Sequence, residues 1–105
     1  MAANDRDDTI RIIRDALKRR SGKAWSVTGG RGTAWGWIAI TVPPRRRTEF
    51  GGMTDSDRAE LAQLLGLDSA HFQGVNIPAS SDYRREYIDR AEGRTPSVVG
   101  RPYWD

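Results

Sequence analysis

A chain of 105 residues, 37% hydrophobic and 30% charged, is long enough for one modest core and too short for two. It contains no cysteine, which excludes disulfides, thiolate metal sites and thiol nucleophiles. The net charge of +3 is unevenly spread: −1 over residues 1–15, +8 over 16–47 and −4 over 48–105.

The N-terminus is polar and acidic where a signal peptide would be basic and then apolar, and residues 1–7 are expected to fray. Asp8 or Thr9 can cap a helix running to about Arg20, with Ile10, Ile13 and Leu17 on one face and Ile12 and Ala16 widening the stripe. Lys18, Arg19 and Arg20 fall in its last turn, opposing the negative end of the helix dipole, and Ser21-Gly22 ends it. Trp25 to Thr28 alternates large apolar and small polar residues, as a strand does. Gly29-Gly30-Arg31-Gly32 then offers the positive-φ positions of a hairpin turn. The return strand is expected over Thr33 to Val42, with Ala34, Gly36, Ile38, Ile40 and Val42 on one face and Thr33, Trp35, Trp37, Ala39 and Thr41 on the other. Pro43-Pro44 stops it.

Residues 43–53 have loop chemistry. Thr54 followed by Asp57 has the form of a capping box for a second helix to about Leu65, with Leu61, Leu64 and Leu65 inward, Gly66 as its stop and Leu67 folding back. Phe72 to Ile77 suggests a short third strand ended by Pro78. Ser80 or Ser81 caps a third helix to about Glu92, burying Tyr83, Tyr87, Ile88 and Ala91; Glu86 with Arg90 and Arg85 with Asp89 stand at ion-pair spacing. From Arg94 the chain reads as an extended tail containing Pro96 and Pro102 and the aromatic pair Tyr103-Trp104. The order is α-β-β-α-(β)-α: a small single α+β domain over residues 1–105, with a two- or three-stranded antiparallel sheet and helices on one face. The longest apolar run, Ala34 to Ile40, is far short of the roughly 20 residues that span a bilayer. A soluble, cytoplasmic protein with no membrane partner is the expectation.

No residue pattern for catalysis or for a cofactor emerges. His71 is the only histidine and has no carboxylate at helical spacing; Ser80 and Ser81 would depend on that same histidine as base. Asp82, Glu86 and Asp89 read as a solvated helix face. Gly30-Arg31-Gly32-Thr33-Ala34-Trp35-Gly36 resembles a phosphate loop, but its glycine spacing is wrong and it leads into a strand instead of a helix. A non-enzymatic protein is expected.

The basic segment is more informative. Residues 16–47 hold Lys18, Arg19, Arg20, Lys23, Arg31, Arg45, Arg46 and Arg47 without one Asp or Glu, together with Trp25, Trp35 and Trp37. In a folded-back hairpin Arg45, Arg46 and Arg47 lie toward the same end as Lys23, with Arg31 at the other. Such a cationic stripe would track phosphates, while Trp35 and Trp37 would offer rings to bases. The expected function is nucleic-acid binding through these seven residues, from Lys23 to Arg47. The alternative is an accessory or inhibitor module docking on an acidic protein surface. Against the stacking role, Tyr103 and Trp104 could cover Trp35 and Trp37 and make them core, which would leave only charge for binding. Oligomeric state is left open.

Ser21-Gly22-Lys23-Ala24-Trp25-Ser26-Val27 and Gly30-Arg31-Gly32-Thr33-Ala34-Trp35-Gly36-Trp37-Ile38, following a basic helix, resemble small bacterial and mobile-element proteins. The unit is similar to the helix-plus-hairpin of the large polyvalent protein-associated domains, over residues 9–42. That resemblance implies a mobile-element or host-interaction setting, in which small nucleic-acid binders and small protein inhibitors both occur; it implies no residue roles.

Overall fold

The computed structural model describes residues 6–100. Helix α1 spans Arg6–Ser21, strand β1 Ser26–Gly29, β2 Ile38–Thr41, helix α2 Asp55–Leu65, β3 Val75–Ile77 and α3 Ser81–Ala91. The strands form one antiparallel sheet in the order β1-β2-β3, so the expected α+β arrangement is present with the third strand included. Val27 lies opposite Ile40, Ile40 opposite Val75 and Ile38 opposite Ile77. These residues, with Val42, form the inner face, where α1 contributes Ile13, Ala16 and Leu17, α2 Leu61, Ala62 and Leu65, and α3 Tyr87 and Ala91. Side chains alternate across a strand, so Ser26, Thr28, Ala39, Thr41 and Asn76 share the outer face, and none of them is buried.

The return strand begins later than expected. Residues 30–37 form a connection containing one tight helical turn, Gly32–Ala34. The amides of Ala34, Trp35 and Trp37 donate to the carbonyls of Arg31 (3.0 Å), Gly32 (3.1 Å) and Ala34 (3.0 Å). Donors used locally cannot serve a strand ladder, so Trp35 is not on the sheet. Pairing resumes where Gly30 N–H donates to the Trp37 carbonyl at 2.8 Å. Of the four residues Gly29 to Gly32, only Gly32 has positive φ, at 59°. The third strand is likewise shorter than the expected Phe72 to Ile77. Residues 71–74 are a turn closed by Gly74 N–H on the His71 carbonyl at 2.9 Å. Gly74 has φ 117° and packs against the Ile40 carbonyl so closely that a Cβ would collide with it.

At the N-terminus, Arg6 and Asp7 are helical, where fraying was expected. Thr54 Oγ1 accepts the Asp57 N–H at 3.1 Å, as a cap should, but the Asp57 carboxylate turns to Arg46 and leaves the box half made. Gly66 does stop α2, with Leu67 N–H returning to the Ala62 carbonyl at 2.8 Å.

Of the three carboxylates read as a solvated face of α3, Asp82 is exposed as expected, but Glu86 and Asp89 are covered. Glu86 pairs with Arg90 at 2.8 Å as expected. The expected Arg85–Asp89 pair is replaced by the chain beyond the helix: Asp89 accepts from Arg94 (2.7 Å), the Ser97 amide (3.1 Å) and the Ser97 hydroxyl (3.3 Å). Glu86, only 5% exposed, accepts the Gly100 amide at 2.6 Å, and Gly100 lies against the Tyr83 ring. Residues 94–100 are therefore a strap along α3. Tyr103 and Trp104, proposed as a cover for the tryptophans, lie outside the described residues.

The Ser97 amide, with Arg94 beside it, holds the Asp89 carboxyl below its ordinary value. A lowered folded-state pKa means that the contact contributes stability above the unfolded value of about 3.9 and loses it as pH falls through the folded value. We predict that the Ser97 amide resonance titrates with a midpoint below about 3.9 and that Asp89→Asn abolishes this titration. A midpoint at or above that value would show that the strap is not latched by Asp89.

Candidate functional site

The basic segment is divided by the fold into cations that tie the chain to itself and cations that face outward. Arg46 lies with its guanidinium 4.9 Å from the Trp25 ring centre, donates to the Ala24 carbonyl and pairs with Asp57 at 3.1 Å. Arg47 Nε donates to the Val42 carbonyl at 3.0 Å. Arg20 donates to the carbonyls of Leu64 (2.8 Å), Arg90 (3.2 Å) and Ala91 (2.7 Å), joining the C-terminal ends of α2 and α3. All three arginines are structural, and for Arg46 and Arg47 this replaces the phosphate-contacting role expected from the sequence. Lys23 pairs with Glu60 at 2.7 Å, but both groups are substantially exposed, and such pairs are worth only about 0–1 kcal/mol.

Arg31 and Arg45 remain. Both are exposed, and neither side chain makes a hydrogen bond or ion pair among the described residues. The register Ser26 opposite Thr41 and Gly29 opposite Ile38 puts them beyond opposite ends of the hairpin, with Lys23 and Arg46 at the Arg45 end. Lys18 and Arg19 at the end of α1, and Arg14 one turn earlier, are also exposed and without such partners among the described residues.

The two tryptophans are separated by the same geometry. Trp35 is 53% exposed and stands in the 30–37 loop, not on a strand face. Its ring is backed by the Arg6 guanidinium at 3.8 Å, which simultaneously donates to the Gly30 (3.1 Å) and Trp35 (2.8 Å) carbonyls. From the far side Arg84 donates to the Gly36 carbonyl at 3.2 Å, and Gly36 lies against Ala79. The loop is thus pinned between the N-terminal ends of α1 and α3. Trp37, half-buried, lies beside Ala39 and Asn76 on the outer sheet face. The two residues therefore do not share a strand face. Arg6 escaped the sequence reading because its partners are main-chain carbonyls 24 and 29 residues away, which leave no local pattern.

His71 is an exposed turn residue whose Nδ1 accepts the Gln73 amide at 3.1 Å. Among the described residues no group of three or more histidines and carboxylates is arranged to hold a metal. Phe50, 86% exposed, sits in the loop after Arg45–Arg47.

Removing the Arg6 guanidinium deletes two charge-assisted hydrogen bonds and the ring contact, about 2 kcal/mol of local stability. We predict that Arg6→Ala speeds amide exchange at Gly30, Trp35 and Trp37 about thirtyfold while the amides of β2 stay protected. Unchanged exchange in the loop would show that Arg6 does not hold it.

No family model matches this chain, and no curated protein or solved structure matches it. The resemblance over residues 9–42 accordingly lends no residue to the site, which rests on geometry alone.

Proposed function

We propose that this chain is a small, non-enzymatic nucleic-acid-binding domain that meets a single-stranded segment along its hairpin. The observation that carries this reading is Trp35: an indole more than half exposed, backed on one face by Arg6, in a loop already held by hydrogen bonds at both sides. A ring fixed before binding loses little entropy when a base stacks on it. Arg31 supplies a phosphate contact beside it and Arg45 a second at the far end of the strands, which are four residues long. At about 3.3 Å per residue the strands themselves span roughly 13 Å. Lys23, whose ion pair is weak, can join them.

An accessory module docking on an acidic protein is the second reading, favoured by Phe50. An aromatic ring left this exposed is a group that protein interfaces bury.

Salt dependence separates tying from binding. With two to three phosphates contacted on a single strand, log K against log salt should fall with a slope of about −1.5 to −2. Arg31→Ala with Arg45→Ala should flatten that slope by about 1.4, and Trp35→Ala should weaken binding roughly tenfold at constant slope. Absence of binding to any single-stranded DNA or RNA at about 50 mM salt, where screening is mild, removes the nucleic-acid reading.

A further inference from the structure

We propose that the recess beside Trp37 is a pocket for one unpaired adenine base, stacked on the Trp37 indole and read by the Asn76 amide; this rests on the nucleic-acid reading above. The recess has a volume of about 300 Å³ and is lined by Gly29, Gly30, Ala34, Trp37, Ala39 and Asn76. That is the lower end of the size range of small-ligand sites, about 300–1,000 Å³.

Its construction follows from the sheet. Ile38 points into the core, so Trp37 and Ala39 turn outward on either side of it, and Ala39 lies opposite Asn76 in the β2–β3 register. The Gly30 amide on the Trp37 carbonyl extends the ladder one pair beyond the strands, and the Trp37 amide donates to the Ala34 carbonyl, so both main-chain groups of Trp37 are bonded. Gly29, Gly30 and Ala39 leave the floor free of bulky side chains. An aromatic wall therefore stands beside a clear space with an amide at its edge.

The polar groups specify the occupant. Neither the Asn76 amide nor the Trp37 indole N–H makes a hydrogen bond among the described residues, and Asn76 is exposed. A carboxamide presents one donor and one acceptor side by side, which matches the N7 acceptor and N6 amino donor of adenine. The lining carries no carboxylate to repel a phosphate, and Arg31 belongs to the same loop that walls the recess. An opening this small suits a single base turned out of its stack, not a base pair.

The test uses labelled hexanucleotides dA6, dC6 and dT6 in fluorescence anisotropy at low salt, with the whole chain and its Asn76→Ala and Trp37→Ala variants. The expected results are tightest binding to dA6, loss of that preference by about fivefold in Asn76→Ala with the salt slope unchanged, and weaker binding of all three oligonucleotides in Trp37→Ala. Asn76 is exposed, so its truncation leaves the fold intact, and a melting curve on each variant verifies this. Binding of all three without preference, or an unchanged preference in Asn76→Ala, overturns the adenine pocket and leaves the nucleic-acid reading standing. If none of the three binds to the wild-type chain, the pocket fails, and the nucleic-acid reading fails with it when the corresponding RNA hexamers do not bind either.

Discussion

Guanidinium groups donating to main-chain carbonyls are what hold the irregular parts of this chain in place, and the rest of the structure depends on them. Arg6, Arg20, Arg46, Arg47, Arg58, Arg84 and Arg90 each donate to at least one backbone carbonyl outside their own local turn of helix. A helix end leaves its last carbonyls without partners, and a core this small cannot shelter long loops by burial alone. Arginine carries five donors in a rigid fork, so one side chain can satisfy two or three carbonyls from different elements. Arg20 does so where α2 and α3 end, complementing the negative ends of both helix dipoles, and Arg90 adds two bonds at the end of α2.

This use of arginine changes what the basic composition means. A +8 segment reads as a polyanion footprint, yet Arg20, Arg46 and Arg47 are committed to the fold. The outward charge is carried by Arg31 and Arg45 at the hairpin ends and by the Arg14, Lys18 and Arg19 row on α1. Arg6 links the two uses: in holding the loop it also sets the plane of Trp35. The outward cationic surface is smaller than the segment that encodes it, and Trp35 and Trp37 stand at two separate places.

The helices were legible because periodicity and end signals agree: Ile13 and Leu17 on one face of α1, Thr54 and Gly66 bounding α2, Ser80 opening α3. The alternation Ile38, Ile40, Val42 named the inner sheet face correctly. The same alternation holds back to Trp37, which faces outward with Ala39, and fails at Trp35 and Thr33, which belong to the tight turn and its end. Nothing local distinguishes Gly32 to Ala34 as a helical turn. The strap on α3 was hidden for a different reason. Its latch joins Asp89 to Ser97 and Glu86 to Gly100 through main-chain amides, which any residue supplies. Contacts to the backbone carry no sequence signature, and here they govern both the site loop and the tail.

Arginine-to-lysine replacement measures this most directly, since it keeps the charge and removes the fork. Urea midpoints would be compared for Arg20→Lys, Arg46→Lys and Arg90→Lys against Arg31→Lys and Arg45→Lys. The first three should each lose about 1–3 kcal/mol, the worth of charge-assisted hydrogen bonds to carbonyls, and the last two should stay within about 0.5 kcal/mol of wild type. Equal and small losses at all five positions would contradict the claim that these arginines hold the fold.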